Sequence, residues 1–118
     1  MTDPTLDVSR QNRPNGDVVL TLVGELDFST SAHFTRALEE APVAPATEWV
    51  IDLSDLRYCD STGITAFVTA YQRVQAAGSS LVLAGVSSEL MRVFRIVGLD
   101  QVFTFRPPVP DGIGDPRS

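Results

Sequence analysis

The residues with the most specific chemistry are four consecutive ones, Asp60-Ser61-Thr62-Gly63, at the point where an apolar segment gives way to a helical pattern. Asp60 and Ser61 are of the types that accept hydrogen bonds from unpaired N–H groups, and they stand where a helix N-cap and first turn are predicted. Gly63 has no side chain, so this turn can lie close to a neighbouring strand. A helix N-terminus also tolerates added negative charge. The four residues therefore predict a phosphorylatable hydroxyl on Ser61, with Thr62 as competitor, or a cap with a structural role alone.

A helix after this junction is predicted from apolar residues that recur three or four positions apart, as on one helix face. They are Ile64, Phe67, Val68, Tyr71 and Val74. The helix should run to about Ala77, because glycine, here Gly78, commonly follows a helix end. The segment from Trp49 to Leu53 precedes the junction and has the composition of a strand. The Ser61 hydroxyl should therefore lie where a strand passes into a helix.

The rest of the chain divides into strands and helices bounded by turn residues. Further strands are predicted at 6–10, 18–23, 81–84 and 102–105, and two further helices follow residues 29–31 and 87–88. The run 18–23 is almost continuously apolar, which is typical of a strand covered on both faces. In the last helix the inward-facing residues should be Leu90, Met91, Phe94 and Val97.

These elements follow the order β-β-α-β-α-β-α-β, a hairpin followed by alternating units. This order predicts a single α/β domain in which about three helices pack on a mixed sheet of about five strands. Every proline lies outside the predicted elements, as expected because proline damages helix interiors and central strands. We expect a flexible N-terminus at 1–5, the folded domain at 6–106 and a disordered tail at 107–118, which is rich in Pro, Gly and Asp.

The composition limits the classes of function. One domain is expected at 118 residues, and an apolar content of 43% is enough for one modest core. Fifteen acidic residues oppose nine basic ones, all of them Arg, and the net charge of −6 argues against direct nucleic-acid binding. No run approaches the roughly 20 apolar residues of a membrane helix, and the N-terminus lacks the pattern of a signal peptide. No membrane insertion and a cytoplasmic location are therefore expected.

Several kinds of site lack their residues in this sequence. There is no lysine for a phosphate-binding loop, and no Gly-x-Gly-x-x-Gly follows a strand, so neither nucleotide hydrolysis nor a dinucleotide cofactor is indicated. His33 has no second His or Cys to complete a metal site, and we interpret it as a solvated helix residue. The neighbouring charge of Asp60 should raise the pKa of the Cys59 thiol, so a reactive thiolate is not expected.

Two catalytic alternatives remain open. Glu25 and Asp27 leave two carboxylates near a strand end and could form an acid/base pair, although surface carboxylates without a catalytic role are the simpler interpretation. Ser61, His33 and Asp60 could together form a small serine hydrolase. The chain lacks the Gly-x-Ser-x-Gly turn of many such enzymes, and Asp60, adjacent to Ser61, is poorly placed to orient a distant histidine.

Three stretches of the chain resemble a known family. They are Gly24-Glu25-Leu26-Asp27, Val50-Ile51-Asp52-Leu53-Ser54-Asp55-Leu56 and Asp60-Ser61-Thr62-Gly63-Ile64, and Val97-Gly98-Leu99 fits the end of the last helix. In these residues and their spacing the chain resembles the STAS domains, and in particular the bacterial anti-sigma-factor antagonists, from about Leu6 to Phe105. The third stretch is the most specific, because many other STAS domains lack its serine.

The resemblance implies a regulatory binding protein that is not an enzyme. Such an antagonist, when unphosphorylated, binds an anti-sigma factor that is also a serine kinase, and so frees a sigma factor. The kinase uses ATP to phosphorylate the serine after the motif's Asp, which is Ser61 here, and a metal-dependent serine phosphatase restores the free form. The antagonist itself needs no cofactor. Thr62 stands where Ser is frequent, whereas Phe28 and Ser29 stand where some members carry polar residues or His.

The partner-binding surface is predicted from topology, because the ends of parallel strands meet at one edge of a sheet. The predicted set is Asp27, Asp60, Ser61, Thr62, Gly63 and Ser87. We expect this acidic rim to meet a basic surface on the kinase. A different class of function also fits a STAS-like domain, namely a ligand-sensing or scaffold module that binds a nucleotide or a lipid.

Overall fold

The computed structural model describes residues 5–41 and 43–108, and within them five strands form one sheet. The strands are β1 (Leu6–Asn12), β2 (Val18–Leu26), β3 (Glu48–Cys59), β4 (Ser80–Ala84) and β5 (Thr104–Arg106). The helices are α1 (Ser31–Glu40), α2 (Ser61–Ala76) and α3 (Ser88–Ile96), and a short 3-10 turn spans Leu99–Gln101. The predicted fold class and order of elements are confirmed.

The sheet is mixed, and its strands lie side by side in the order in which they occur along the chain. β1 and β2 form an antiparallel hairpin, whereas β2, β3, β4 and β5 are parallel neighbours. Each parallel pair is joined by a helix, and right-handed crossovers that proceed in one direction place their helices on the same face. In accordance with this rule, one apolar core contains Leu20, Ile51 and Leu83 from the strands and Phe34, Phe67 and Phe94 from the three helices.

The opposite face of the sheet carries a smaller apolar cluster, formed by Val19, Val50, Val82 and Ala84. The prediction that the run 18–23 is covered on both faces holds at Val19, which is 5% exposed, but is wrong at Val23, which is 37% exposed. The reason lies in strand length. Val19 lies where β2, β3 and β4 run side by side, whereas Val23 lies beyond the last residue of β4 and so lacks that neighbour.

β3 is longer than the predicted strand 49–53. It pairs with β4 only as far as Asp52, but it continues alongside β2 as far as Cys59. The residues of this extension, among them Ser54, Asp55 and Arg57, are largely exposed. Their polarity concealed the strand, because an apolar pattern detects only residues that a core covers.

Two irregularities in the pairing of β2 and β3 belong to the same extension. The register shifts between Thr21 and Val23 and again between Gly24 and Glu25, and each shift gives β3 an additional residue. Such bulges bend a strand and increase its twist. They therefore set the direction in which the end of β3 approaches α2.

The C-terminal third of the domain differs from its prediction in two details. Leu90 and Phe94 are buried as expected, but Val97 is 53% exposed, so its predicted inward orientation is wrong. Val97 is the C-cap of α3, one residue past the last helical residue Ile96, and the chain changes direction at the next residue, Gly98, whose φ is +80°. β5 begins at Thr104 and not at residue 102, because the 3-10 turn takes up the chain first.

The predicted terminal segments, 1–5 and 107–118, lie mostly outside the described residues. In the part of the chain that the structure describes, no helix is long and apolar enough to cross a membrane.

Gly63 determines how closely α2 approaches the sheet. A Cβ atom at this position would stand 2.6 Å from the Cys59 Sγ and 2.9 Å from the Leu26 Cγ. Atoms essentially never come so close, so the residue must lack a side chain for the first turn of α2 to pack on the ends of β2 and β3. The predicted close approach is confirmed.

We predict that Gly63→Ala destabilises the domain. Overpacking typically costs about 1–3 kcal/mol, and the better helix propensity of Ala returns about 1 kcal/mol. The net loss in unfolding free energy should be about 1 kcal/mol, measured by urea denaturation. Cys59→Ala removes the nearest obstructing atom, so the double variant should be more stable than the sum of the two single effects predicts. Simple additivity would show that this contact does not set the packing.

Candidate functional site

The candidate site is built at the point where β2 and β3 end side by side. Leu26 pairs with Cys59, and the Asp60 N–H then donates a hydrogen bond of 3.1 Å to the Leu26 carbonyl oxygen. Asp60 is the N-cap of α2, and its Oδ1 accepts a hydrogen bond of 3.1 Å from the Gly63 N–H. The predicted cap is confirmed, and the ends of two strands and the start of a helix are joined through one residue.

Ser61 and Thr62 occupy the first two positions of α2 and differ in accessibility. Ser61 is exposed, whereas Thr62 is half-buried. Among the described residues, the backbone N–H groups of both have no hydrogen-bond partner, as is usual in the first turn of a helix. The hydroxyl of Ser61 is thus accessible, and it lies next to donors and a helix dipole that favour an added negative charge.

Asp27 follows β2 directly and organises the turn that leads into α1. Its Oδ1 accepts hydrogen bonds from the Ser29 hydroxyl at 2.8 Å, the Ser29 N–H at 2.9 Å and the Thr30 N–H at 3.1 Å. These bonds, chiefly that from the Ser29 hydroxyl, lower the pKa of the Asp27 carboxyl although partial desolvation opposes them. The carboxylate therefore has a structural role in this turn, and Asp27 directly follows Leu26, the residue whose carbonyl oxygen accepts the hydrogen bond from Asp60.

Thr30 completes the same turn. It is the N-cap residue of α1 and is buried, but its side chain makes no cap hydrogen bond. Its hydroxyl instead donates to the Glu25 carbonyl oxygen at 2.9 Å and accepts from the Asp27 N–H at 2.9 Å. Both ends of the loop between β2 and α1 are held in this way, so the loop is a fixed part of the rim.

Ser87 lies across a groove from the end of β3. It is the N-cap of α3 and accepts a hydrogen bond of 3.1 Å from the Leu90 N–H. The groove has a volume of about 340 Å³, and its lining includes Leu56, Tyr58, Ser87 and Val93. The structure thus places Asp27 and Asp60 at adjacent strand ends, with Ser87 on the facing side of a groove, because β4 ends well before β3 does.

The other residues considered from the sequence lie in separate environments. Burial, and to a lesser extent the charge of Asp60, raises the pKa of the Cys59 thiol to about 12, so it is protonated at neutral pH. The Glu25 carboxylate accepts a hydrogen bond of 3.1 Å from the Thr5 hydroxyl, which leaves it apart from the Asp27 turn. His33 is exposed on α1, and among the described residues no hydrogen bond joins it to Ser61. The pairing of Ser61 with His33 that was considered for a serine hydrolase is therefore not present among the described residues.

Two exposed aromatic side chains at this edge were not identified as site residues from the sequence. Phe28, in the Asp27 turn, is 82% exposed, and Tyr58, near the end of β3, is 54% exposed. For Phe28 the sequence did contain a signal of exposure, namely an apolar residue between Asp27 and Ser29 in an otherwise polar loop. Within the described chain, no cluster of three or more His, Cys, Asp or Glu residues could hold a metal ion.

We predict that the Asp27 carboxylate contributes stability that depends on pH. Because the pKa of the Asp27 carboxyl is lower in the folded state than its ordinary value of 3.8 in an unfolded chain, its contribution is complete above that value and is lost as the pH falls through the folded pKa. Asp27→Asn should therefore be less stable than the wild type at neutral pH, and the difference should vanish at low pH. Urea denaturation at a series of pH values measures this difference.

Ser29→Ala provides the matched control, since it removes the largest cause of the lowered pKa. In that background the effect of Asp27→Asn should be smaller. A difference between wild type and Asp27→Asn that stays constant across the pH range would contradict a role for the charge.

Comparison with known proteins finds matches to a family model and to curated relatives. The family model described as "Mlab, STAS domain" matches residues 9–107. The anti-sigma-B factor antagonist of Listeria monocytogenes is 32% identical over 101 residues, which cover 86% of this chain and 89% of that protein.

Solved structures share the fold. An anti-sigma factor antagonist from Mycobacterium paratuberculosis superposes with a TM-score of 0.70 at 23% identity, covering 96% of each chain. The anti-sigma factor antagonist SpoIIAA in its unphosphorylated form gives a TM-score of 0.67 at 19% identity, covering 88% of this chain and 90% of that one. SpoIIAA of Bacillus in its phosphorylated form gives 0.64 at 19% identity, covering 88% and 93%. The family model matches most of the chain, and the Listeria antagonist is 32% identical to it. The chain therefore belongs to the STAS-domain family, in the group of the anti-sigma-factor antagonists.

Proposed function

We propose that this protein is a phosphorylation-controlled anti-sigma-factor antagonist. In its unphosphorylated form it binds an anti-sigma factor that is also a serine kinase, and a sigma factor is thereby freed. The kinase uses ATP to phosphorylate Ser61, which ends the interaction, and a serine phosphatase restores the binding form. The protein acts as a binding module and a substrate in the cytoplasm, it needs no cofactor of its own, and it performs no catalysis.

The observation that carries the proposal is the exposed Ser61 hydroxyl at the first position of α2, directly after the Asp60 cap. The names of the relatives support the role of antagonist. That SpoIIAA has been solved in unphosphorylated and phosphorylated forms supports phosphorylation as a property compatible with this fold. Ser61 is also the more accessible of the two adjacent hydroxyl residues, which favours it over Thr62 as acceptor.

The geometry gives the proposed switch a physical basis. A phosphate adds a charge of about −1.5 to −2 at neutral pH. On Ser61 it would lie beside Asp60 and close to the Asp27 turn, so a partner surface suited to the neutral hydroxyl would have to bury an additional uncompensated charge, at a cost of several kcal/mol. A loss of about 3–4 kcal/mol weakens binding a few hundredfold. The N-terminus of α2 favours the same charge by about 0.3–1 kcal/mol, so the modified domain stays folded.

We expect the cognate kinase and ATP to phosphorylate the wild-type protein at Ser61. Mass-spectrometric fragmentation locates the phosphate, and Thr62→Ala serves as a matched control that should still be modified. Phosphate at Thr62 or elsewhere, with Ser61 unmodified, would refute the assignment. If the kinase neither binds nor phosphorylates this protein, and the protein binds a nucleotide or lipid vesicles, the result would instead support the ligand-sensing alternative.

The Ser61 variants test the switch itself. Ser61→Ala should bind the kinase about as tightly as the wild type, because it keeps a small neutral side chain, and it should not be phosphorylated. Ser61→Glu should bind at least about tenfold more weakly, although one carboxylate imitates a phosphate only in part. Titration calorimetry measures both, and far-UV circular dichroism should be unchanged. Equal binding by Ser61→Glu and the wild type would show that charge at this position does not control the complex.

We further predict that Asp27 accelerates association with a basic partner surface. Charge at the rim of an interface chiefly raises the association rate and is screened by salt. Asp27→Asn should therefore associate more slowly at low salt and show a flatter salt dependence, with little change in dissociation. Asp100→Asn, which removes an equal charge beyond the far end of α3, is the matched control. Stopped-flow rates at two salt concentrations measure the effect; an unchanged rate with lowered stability would leave Asp27 a purely structural role.

A further inference from the structure

Phe28 is the most exposed large hydrophobic residue in the described part of the chain, with 82% of its surface accessible. The ring contributes little to folding stability, because most of its surface remains in contact with water. Single exposed hydrophobic residues are common on proteins and by themselves carry no function. What distinguishes Phe28 is the combination of its location, the rigidity of its turn and the charge around it.

The location follows from the joint between the two strand ends. The Leu26 carbonyl oxygen accepts the hydrogen bond from Asp60, and Phe28 is the second residue after Leu26. Two residues of chain span at most about 7 Å. Phe28 therefore lies on the same rim as the Asp60 cap and the Ser61 hydroxyl.

The turn around Phe28 is fixed before any partner arrives. The residue before it, Asp27, accepts bonds from Ser29 and Thr30, and the Thr30 hydroxyl in turn bonds to Glu25 and Asp27. A side chain on a preorganised backbone loses less conformational entropy on binding than one on a mobile loop. Its ring is thus presented at low entropic cost, as in the aromatic anchors of protein interfaces, which fill pockets on the partner.

The surroundings of the ring are acidic. Asp27 directly precedes Phe28, and Asp60 follows the neighbouring strand end, so two acidic residues lie on this rim. The exposed Arg57 lies further back, three residues before Asp60, on β3 opposite Gly24 and Glu25. A surface that accepts an apolar ring among carboxylates needs an apolar socket with Arg or Lys at its margin.

We propose that Phe28 is the apolar anchor of the complex with the kinase and inserts into an apolar socket bordered by basic residues on that protein. This inference rests on the proposed function and deepens it. Phosphorylation of Ser61 controls whether the complex forms, while Phe28 supplies affinity and partner specificity. The ring does not take part in phosphoryl transfer. Its removal therefore raises the KM of the kinase for this substrate and speeds dissociation, and it leaves kcat and the salt dependence of association nearly unchanged.

The test compares Phe28→Ala with Ile96→Ala in binding to the cognate kinase and in Ser61 phosphorylation. Ile96 is 76% exposed, and it lies about 13 Å along α3 from the Ser87 end, so it matches Phe28 in exposure but not in location. We expect Phe28→Ala to weaken binding and raise KM by about 30-fold or more, whereas Ile96→Ala stays within about twofold of wild type. Thermal melting of both variants should match the wild type.

The outcomes separate this inference from the function on which it rests. Wild-type binding and Ser61 phosphorylation with Phe28→Ala within twofold of wild type would refute the anchor and leave the proposed function intact. Equal losses in Phe28→Ala and Ile96→Ala would also refute it, because exposure alone would then explain the effect. A reduced kcat with unchanged KM would assign Phe28 to the chemical step and overturn the anchor. Failure of the wild type both to bind and to be phosphorylated would overturn both proposals.

Discussion

The hydrogen bond from the Asp60 N–H to the Leu26 carbonyl oxygen is the interaction on which the rest of the candidate site depends. It joins the end of β3 to the end of β2, and because Asp60 is also the N-cap of α2, it fixes the start of the helix on the same frame. Gly63 then allows the first turn to pack directly on Leu26 and Cys59. The position of Ser61 is thus set by the backbone and by its neighbours, so its own hydroxyl is not needed for the fold.

Two electrostatic contributions of opposite sign meet at this joint. The helix N-terminus and its unpaired N–H groups favour an added negative charge, whereas Asp60 and Asp27 oppose it. In the free domain the charge is solvated and both contributions are small. In a complex water is excluded and the same charge is far more costly. Under the proposed function, a phosphate on Ser61 would therefore change the interaction with a partner much more than it would change folding stability.

The features that the sequence allowed us to predict are those set by local chemistry. The Asp60 cap, the requirement for glycine at residue 63 and the order of the elements follow from residue types at fixed spacing. The extension of β3 to Cys59 does not, because its pairing with β2 depends on two bulges that only the assembled sheet defines. The exposure of Val97 and Phe28 was equally unpredictable, because whether an apolar residue is buried depends on neighbours in space that the sequence does not show. Asp27 shows an intermediate case: its position at the rim was predictable, but its hydrogen bonds to Ser29 and Thr30 were not.

The difference in length between β3 and β4 leaves an open surface on one side of Ser61. Because β4 stops opposite Asp52, the end of β3 has no strand on that side. It borders a groove whose other wall is formed by α3. Under the proposed function, a partner contacts this rim at several points, of which only Ser61 changes charge. A phosphate penalty of about 3–4 kcal/mol shifts the Kd only a few hundredfold. Such a shift releases the partner only if the unmodified Kd lies within that factor of the working concentration. The binding contributed by the rest of the rim must therefore be moderate, since a much tighter interface would keep the partner bound even after phosphorylation.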